Sequence, residues 1–532
     1  VLFSREHIVE RTANIVGCGE ELKKESPMHR GAPRRMKIVL FSREHIVERT
    51  ANIVGCSEEL KKETNATMSV EKTLVIGPTF EEMLHPEKIE PQVRQKALRM
   101  REEDPLDPIN LYNITWRGPD NQIYYEIIPQ ELTNVEANIV VIYAKDFPTG
   151  SHKVGASYSI LVEKELAGEV NPGIHVLVWP STGNYGIGGA WVGCRMKFDS
   201  VVILPEEMSR ERFEQIERYG GRVIKTPGGE ANVKEIYDKS KELRASDPQR
   251  VRILNQFEEF GNYRFHYYVT GNTVVELAAK LARQGIGKGK VAAFVSAMGS
   301  AGTIAAGDRL KQKWPDHKIV GLEPIQCPTL YWNGYGSHDI QGIGDKHATW
   351  IHNVWNMDAL MCIDDIECKK GLQLLVEQPG RKILVDRYGL PEGKVEKMSQ
   401  IFGISGVCNL LGAIKTAKFY GYGRDDVIVT VCTDAIDRYW SVMEQMSRTY
   451  GKMDETEAAA RLVSIFHHQK LDWIKEGTRQ THNQWHNLKY FTWVEQQGKS
   501  VEELDAQRDP QWWLTQQVRV ADIDRLIEKS RK

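Results

Sequence analysis

The chain is predicted to be an α/β protein built on mostly parallel sheet, and three observations carry that expectation. Seven short runs rich in β-branched residues punctuate the chain: "NIVVIYA" (138–144), "HVLVWP" (175–180), "SVVILP" (200–205), "GRVIKTP" (221–227), "VAAFVS" (291–296), "KIVGLEP" (318–324) and "DVIVTVC" (426–432). Apolar on nearly every residue rather than every second one, they read as strands buried on both faces. Helical segments such as 209–219, 232–246, 273–284 and 303–313 alternate with them, the pattern of strand-helix-strand crossovers. The unusual loops, rich in glycine and small residues, follow directly after strands, where sites in such folds lie.

Composition narrows the possible roles. At 532 residues the chain exceeds the usual size of one domain, so two or more units are expected. A net charge of -2, with 27% charged residues spread along the chain, offers no field for nucleic acid or an anionic membrane surface, which leaves a small molecule as the expected partner. The eight cysteines form no CxxC pair and several sit in apolar runs, which predicts reduced, buried thiols and a cytoplasmic protein. No long apolar run or cleavable leader is found, so neither a membrane span nor secretion is expected.

The two ends of the chain read differently from its middle. Residues 1–25 recur at 39–63 with a single change, Gly19 to Ser57. Two copies are too few for a solenoid. Residues 1–67 are therefore set apart from the core, with Met36 and Met68 as plausible starts, and 68–445 is expected to be the catalytic core. Residues 446–532 carry Trp473, Trp485, Trp493, Trp512 and Trp513 on amphipathic helical patterns and read as a helical extension packed over the site entrance or a dimer interface. His482 and His486 stand four residues apart and could share a metal, but no acidic third ligand accompanies them, so packing is the reading taken and no metal is expected.

Three loops carry chemistry. In "FPTGSHKVGAS" (147–157), Lys153 sits among small residues at a helix start behind a strand; it is either an ordinary surface lysine or an amine set to bond an aldehyde. In "PSTGNYGIGGA" (180–190), Ser181, Thr182, Asn184 and the amides of a new helix suit a carboxylate, or merely form a capped turn. In "SAMGSAGTIAAG" (296–307), small residues allow successive amides to wrap one phosphate; neither a Walker loop nor a dinucleotide fingerprint is present. An amine, a carboxylate loop and a lone phosphate cradle together point to pyridoxal 5'-phosphate.

With these loops stand "NQFEEFGN" and "HYYVTG" (255–271), "GLEP" (321–324), "IQGIG" (340–344), "GISG" (403–406) and "DRYWS" (437–441). Over roughly residues 100 to 445 the chain resembles the fold-type II pyridoxal-phosphate enzymes, most closely the cysteine synthase and cystathionine β-synthase family. The resemblance implies two open α/β subdomains with the cofactor between them, as in the tryptophan synthase β subunit, and a homodimer. It makes Lys153 the lysine bonded to the cofactor and Asn184 the partner of its phenolic oxygen. Ser181, Thr182 and Gln256 would grip the substrate carboxylate. Gly299, Ser300, Gly302 and Thr303 would hold the phosphate, with Ala301 in place of a glycine, a milder change provided its φ is negative. The reaction implied is β-replacement: Lys153, displaced by the amino acid, takes the α-proton, the β-substituent leaves, and a nucleophile such as sulfide adds.

Several positions depart from the family. His152 before the lysine resembles the tryptophan synthase arrangement and would touch the phosphate, or be a buried structural histidine. Tyr185 replaces a small hydroxyl residue and would reshape the substrate pocket. Ala435 falls where a hydroxyl pairs with the pyridine nitrogen, a role open to Thr433 or Asp434. A segment around 352–397 reads as an insertion. The function expected is cysteine synthesis from O-acetylserine and sulfide. The alternatives are a related β-eliminating lyase, desulfhydrase or synthase with another substrate or nucleophile, and a catalytically inactive binding scaffold.

Overall fold

The computed structural model describes residues 75–181, 183–229, 233–334 and 336–532. The duplicated segment at 1–67, and Thr182 of the asparagine loop, lie outside the described residues.

Eleven strands are found among the described residues: β1 (Tyr125–Ile127), β2 (Asn138–Tyr143), β3 (Val176–Pro180), β4 (Asp199–Pro205), β5 (Arg222–Thr226), β6 (Val251–Ile253), β7 (Ala293–Ala297), β8 (Lys318–Pro324), β9 (Ala359–Ile363), β10 (Val427–Cys432) and β11 (Ile474–Glu476). They form two sheets. The larger runs β1-β2-β10-β7-β8-β9-β11, and the smaller runs β5-β4-β3-β6. All pairings are parallel except those of the two edge strands of the larger sheet, β1 on β2 and β11 on β9. The expected α/β class is therefore observed, with each of the seven β-branched runs a strand. Ile139, Val140, Val141 and Ile142 of β2 are fully buried, as a strand covered on both faces requires.

Residues 352–397 are not a peripheral insertion. They supply β9 and the helices Asp365–Val376 and Gln378–Asp386, and Leu372, Leu374, Leu375 and Leu384 share one buried cluster with β2, β7, β8 and β10. An apolar run such as "ALMCI", poor in β-branched residues, carries little strand signal from sequence alone. Packed in the same cluster is the helix Ile404–Tyr420, which ends where Gly421 takes φ +65° as a left-handed cap.

The C-terminal region is helical apart from β11, three residues that extend the larger sheet at its edge. Its tryptophans are largely internal. Trp485, Trp493 and Trp513 are buried against 348–357, Phe257 and Tyr263 respectively. No helix of the described residues is long and apolar enough to cross a membrane. Cys194 and the five buried cysteines among the described residues are all unbridged.

Candidate active site

Parallel pairing gathers the chemistry at one end of the larger sheet. Tyr143 at the end of β2 is opposite Cys432 at the end of β10, so the loops carrying Lys153 and Thr433 leave side by side. β7 releases Met298 to Ile304 next to them, and the smaller sheet supplies the facing wall, Ser181, Gly183 and Asn184 after β3 and Gln256 after β6.

Lys153 opens the helix Lys153–Leu166. Close packing fixes that helix: a Cβ on Gly155 would lie 2.1 Å from the Phe265 ring. The amine donates to Gln256 Oε1 at 3.2 Å and to Ser300 Oγ at 2.9 Å. It stands where two adjoining cavities meet, both bounded by Asn184, Gly299, Ser300, Gly342 and Ile343. The outer cavity is completed by Ser181, Tyr185, Gln256, Phe257 and Asp345, and the inner one by His152, Ala301, Gly302, Thr303 and Thr433.

The inner cavity is an anion cradle. Among the described residues, no backbone amide from Gly299 through Ile304 donates to another protein group, so successive N–H groups await an acceptor at the start of the helix Ala305–Lys313. Gly302 is packed tightly enough that a Cβ would lie 2.0 Å from Asn262 Oδ1. Asn262 in turn donates to the Gln256 carbonyl at 2.9 Å and to Ser300 Oγ at 3.0 Å, joining cradle and outer wall. Ala301 does not meet the condition for a mild change: its φ is +58°. The loop turns left-handed there to bring its amides around, at a cost of roughly 1–2 kcal/mol for a residue with a Cβ.

His152 lies behind the cradle, fully buried. Its Nδ1 meets the Thr433 carbonyl at 3.2 Å and its Nε2 meets Thr303 Oγ1 at 2.9 Å. A carbonyl only accepts, so Nδ1 carries the proton and Nε2 accepts from the threonine, the pattern of a neutral ring. Burial, with the nearby Lys153 charge adding to it, pushes its pKa down to about 3. The unfolded chain therefore takes up a proton near pH 6.5 that the folded chain refuses, and this histidine destabilises the fold as pH drops from there toward 3. His152→Gln is expected to remove about 1.4 kcal/mol per pH unit of that acid sensitivity. Urea midpoints between pH 7 and pH 5 test this, and parallel slopes for the two proteins would contradict it.

Asn184 is held from outside the cavity. Its Nδ2 donates to Asp434 Oδ2 at 2.5 Å, and Tyr439 OH donates to the same oxygen at 2.6 Å. Burial raises the pKa of Asp434, opposed by Arg438, Tyr439, Asn184 and Arg212. Asn184 Oδ1 is left buried without a partner. Thr433 reaches the inner cavity with Oγ1 2.6 Å from Ser405 Oγ, whereas Asp434 is turned to Asn184, and Ala435 is buried and outside both linings. Ser181 Oγ accepts from the amides of Gly183 and Gly186 at 2.9 and 2.8 Å, shaping the loop while its own proton stays available to a ligand. Tyr185 points its hydroxyl at the Leu254 carbonyl, 3.0 Å away, and offers the cavity only ring surface. Residues 342–345 and Asn262 belong to the site although only their motifs, without roles, stand out in the sequence. His482 and His486 instead pack beside Trp355, and no metal-ligating cluster is present among the described residues.

A family model described as pyridoxal-phosphate dependent enzyme matches residues 129–385. A cysteine synthase of Staphylococcus aureus is 32% identical over 315 residues, covering 58% of this chain and 90% of the relative. A cystathionine beta-synthase of Apis mellifera is 26% identical over 339 residues, covering 58% of this chain and 63% of the relative. Among solved structures, an O-acetyl serine sulfhydrylase isoform of Entamoeba histolytica superposes with a TM-score of 0.53 at 24% identity, covering 67% of this chain and 100% of that one, a likeness of fold.

Proposed function

Because the chain belongs to the pyridoxal-phosphate-dependent enzymes and stands among their cysteine synthase-like members, we propose that it exchanges the β-substituent of an activated serine for a nucleophile, making cysteine from O-acetylserine and sulfide. The observation that carries this reading is a single lysine lining two joined cavities, one an unpaired amide cradle and the other ringed by carboxylate-binding groups.

The residues suit the cofactor. The Gly299–Ile304 amides, that of Thr303 included, match a phosphate, Lys153 matches an aldehyde, and Asn184 lies beside both. When bound, pyridoxal phosphate supplies the electron sink that makes loss of an α-proton and of a β-leaving group feasible. The protein supplies the remainder. Lys153 Nζ takes the α-proton and returns one, since no other lysine among the described residues lines either cavity. Gln256 Oε1 and Ser300 Oγ hold that amine in the free enzyme and fix the direction from which it approaches. Ser181 and Gln256, together with Thr182, would orient the substrate carboxylate, and Asn184 would face the cofactor's phenolic oxygen. Neutral His152 keeps Thr303 turned inward. For the ring nitrogen, Thr433 is favoured over Asp434 by its place in the inner cavity, and a neutral hydroxyl there suits elimination and replacement. Buried, unbridged thiols fit a cytoplasmic setting, and the family likeness favours a homodimer.

The test is product analysis with cofactor-loaded protein. Supplied with O-acetylserine and sulfide, it is expected to release acetate and cysteine in equal amounts. Pyruvate and ammonia formed regardless of sulfide would instead identify a β-eliminating lyase, and no turnover would favour another donor or a binding scaffold.

A further inference from the structure

Lys489 lies in the C-terminal region, beyond the residues matched by the family model, and is fully buried. Three acceptors surround its amine: the Trp350 carbonyl at 3.1 Å, the His352 carbonyl at 2.6 Å and Gln507 Oε1 at 2.6 Å. The Trp513 ring centroid is 5.5 Å away. A fully buried lysine whose three acceptors are all neutral is costly to install, and burial lowers its pKa well below the ordinary value.

What the amine grips leads back to the site. The amides of Trp350 and Ile351 donate to the Phe257 carbonyl at 2.9 and 3.4 Å. Phe257 and its neighbour Gln256 line the outer cavity, and Gln256 Oε1 accepts from Lys153. Gln507 reinforces the same clamp by donating to the Trp350 carbonyl at 3.2 Å, and Trp493 adds a bond to the Ala348 carbonyl at 2.8 Å. A continuous set of hydrogen bonds thus runs from the tail to the substrate side of the reactive amine.

We infer that Lys489 is a positioning residue: through Trp350 and Ile351 it fixes the Phe257–Gln256 wall against which the amino-acid substrate is held. The C-terminal region is then part of the substrate site rather than an addition to it. This rests on the reading of the outer cavity as the substrate site.

The experiment uses the full chain loaded with pyridoxal phosphate. Lys489→Met is expected to retain cofactor, whose cradle it does not touch, and to raise KM for O-acetylserine about ten-fold with kcat at saturation little changed, since losing a buried hydrogen-bonding group is worth about that factor. A purely structural lysine would lower Tm and leave KM unmoved below the transition, and KM within about two-fold of wild type overturns the inference. Should Lys489→Met not fold, Lys489→Arg is read by hydrogen exchange at the Trp350 and Ile351 amides: faster exchange supports the clamp, and unchanged exchange overturns it. Wild-type protein that binds cofactor but turns over no activated serine would defeat the functional reading, and the exchange measurement would then decide the clamp by itself.

Discussion

Lys153→Ala is expected to abolish covalent retention of pyridoxal phosphate and to reduce activity by at least about a thousand-fold. On the proposed reading two roles converge on one atom, the amine being both the group that would bond the aldehyde and the base at the α-carbon. Among the residues lining the two cavities it is the one lysine, so no neighbour can substitute. Borohydride reduction followed by peptide mass analysis gives a readout independent of turnover. Wild-type protein should carry a pyridoxyl group on the peptide containing Lys153, and the variant should carry none. A pyridoxyl group on any other lysine, or a variant with substantial residual turnover, would refute the assignment.

Gly302→Ala is expected to weaken cofactor binding by about ten-fold or more. The added carbon would lie 2.0 Å from Asn262 Oδ1 and 2.6 Å from its Cγ, and Asn262 has no room to retreat, being fully buried. Either that side chain gives up Gln256 and Ser300, or the cradle opens and its amides no longer converge. Equilibrium titration with pyridoxal phosphate, followed by absorbance, measures the loss. Ala301→Gly is the matched control, because it relieves the left-handed strain at φ +58° without adding an atom. Equal affinity in Gly302→Ala and wild-type protein would mean that the cradle is not where the phosphate sits.

The parts of this molecule visible from sequence were those with a local cause. Runs such as "NIVVIY" become strands because their own side chains demand burial on two faces, and glycine-rich loops after strands can hardly be anything but turns or cradles. Lys153 was conspicuous for the same reason, as a charged residue in a small-residue turn. What escaped depends on partners far along the chain. Asp434 meets Asn184 across 250 positions, and only that contact shows it turned away from the inner cavity. The left-handed φ of Ala301 is set by the path of the loop, which residue type alone would not suggest. β6 and β11 are three residues long, too brief for a periodicity, and β9 was hidden because Leu and Met suit helix as well as strand. The tail was expected to pack over the site entrance or a dimer interface; Trp485, Trp493 and Trp513 are buried, but the residues they pack against could not be read from their spacing.

The place of β10 between β2 and β7 imposes an order on biosynthesis. Thr149, in the turn before the reactive lysine, is pinned by Arg438, 289 positions later. At about 5–20 residues per second, a ribosome needs roughly a quarter of a minute to a minute to cover that interval. For most of that interval the lysine-bearing turn has been made while β10, the strand between β2 and β7, has yet to be translated. The inner cavity is thus complete only once Thr433 has been made, and a nascent chain stalled before residue 427 leaves one backbone edge of β2 without the strand that pairs it.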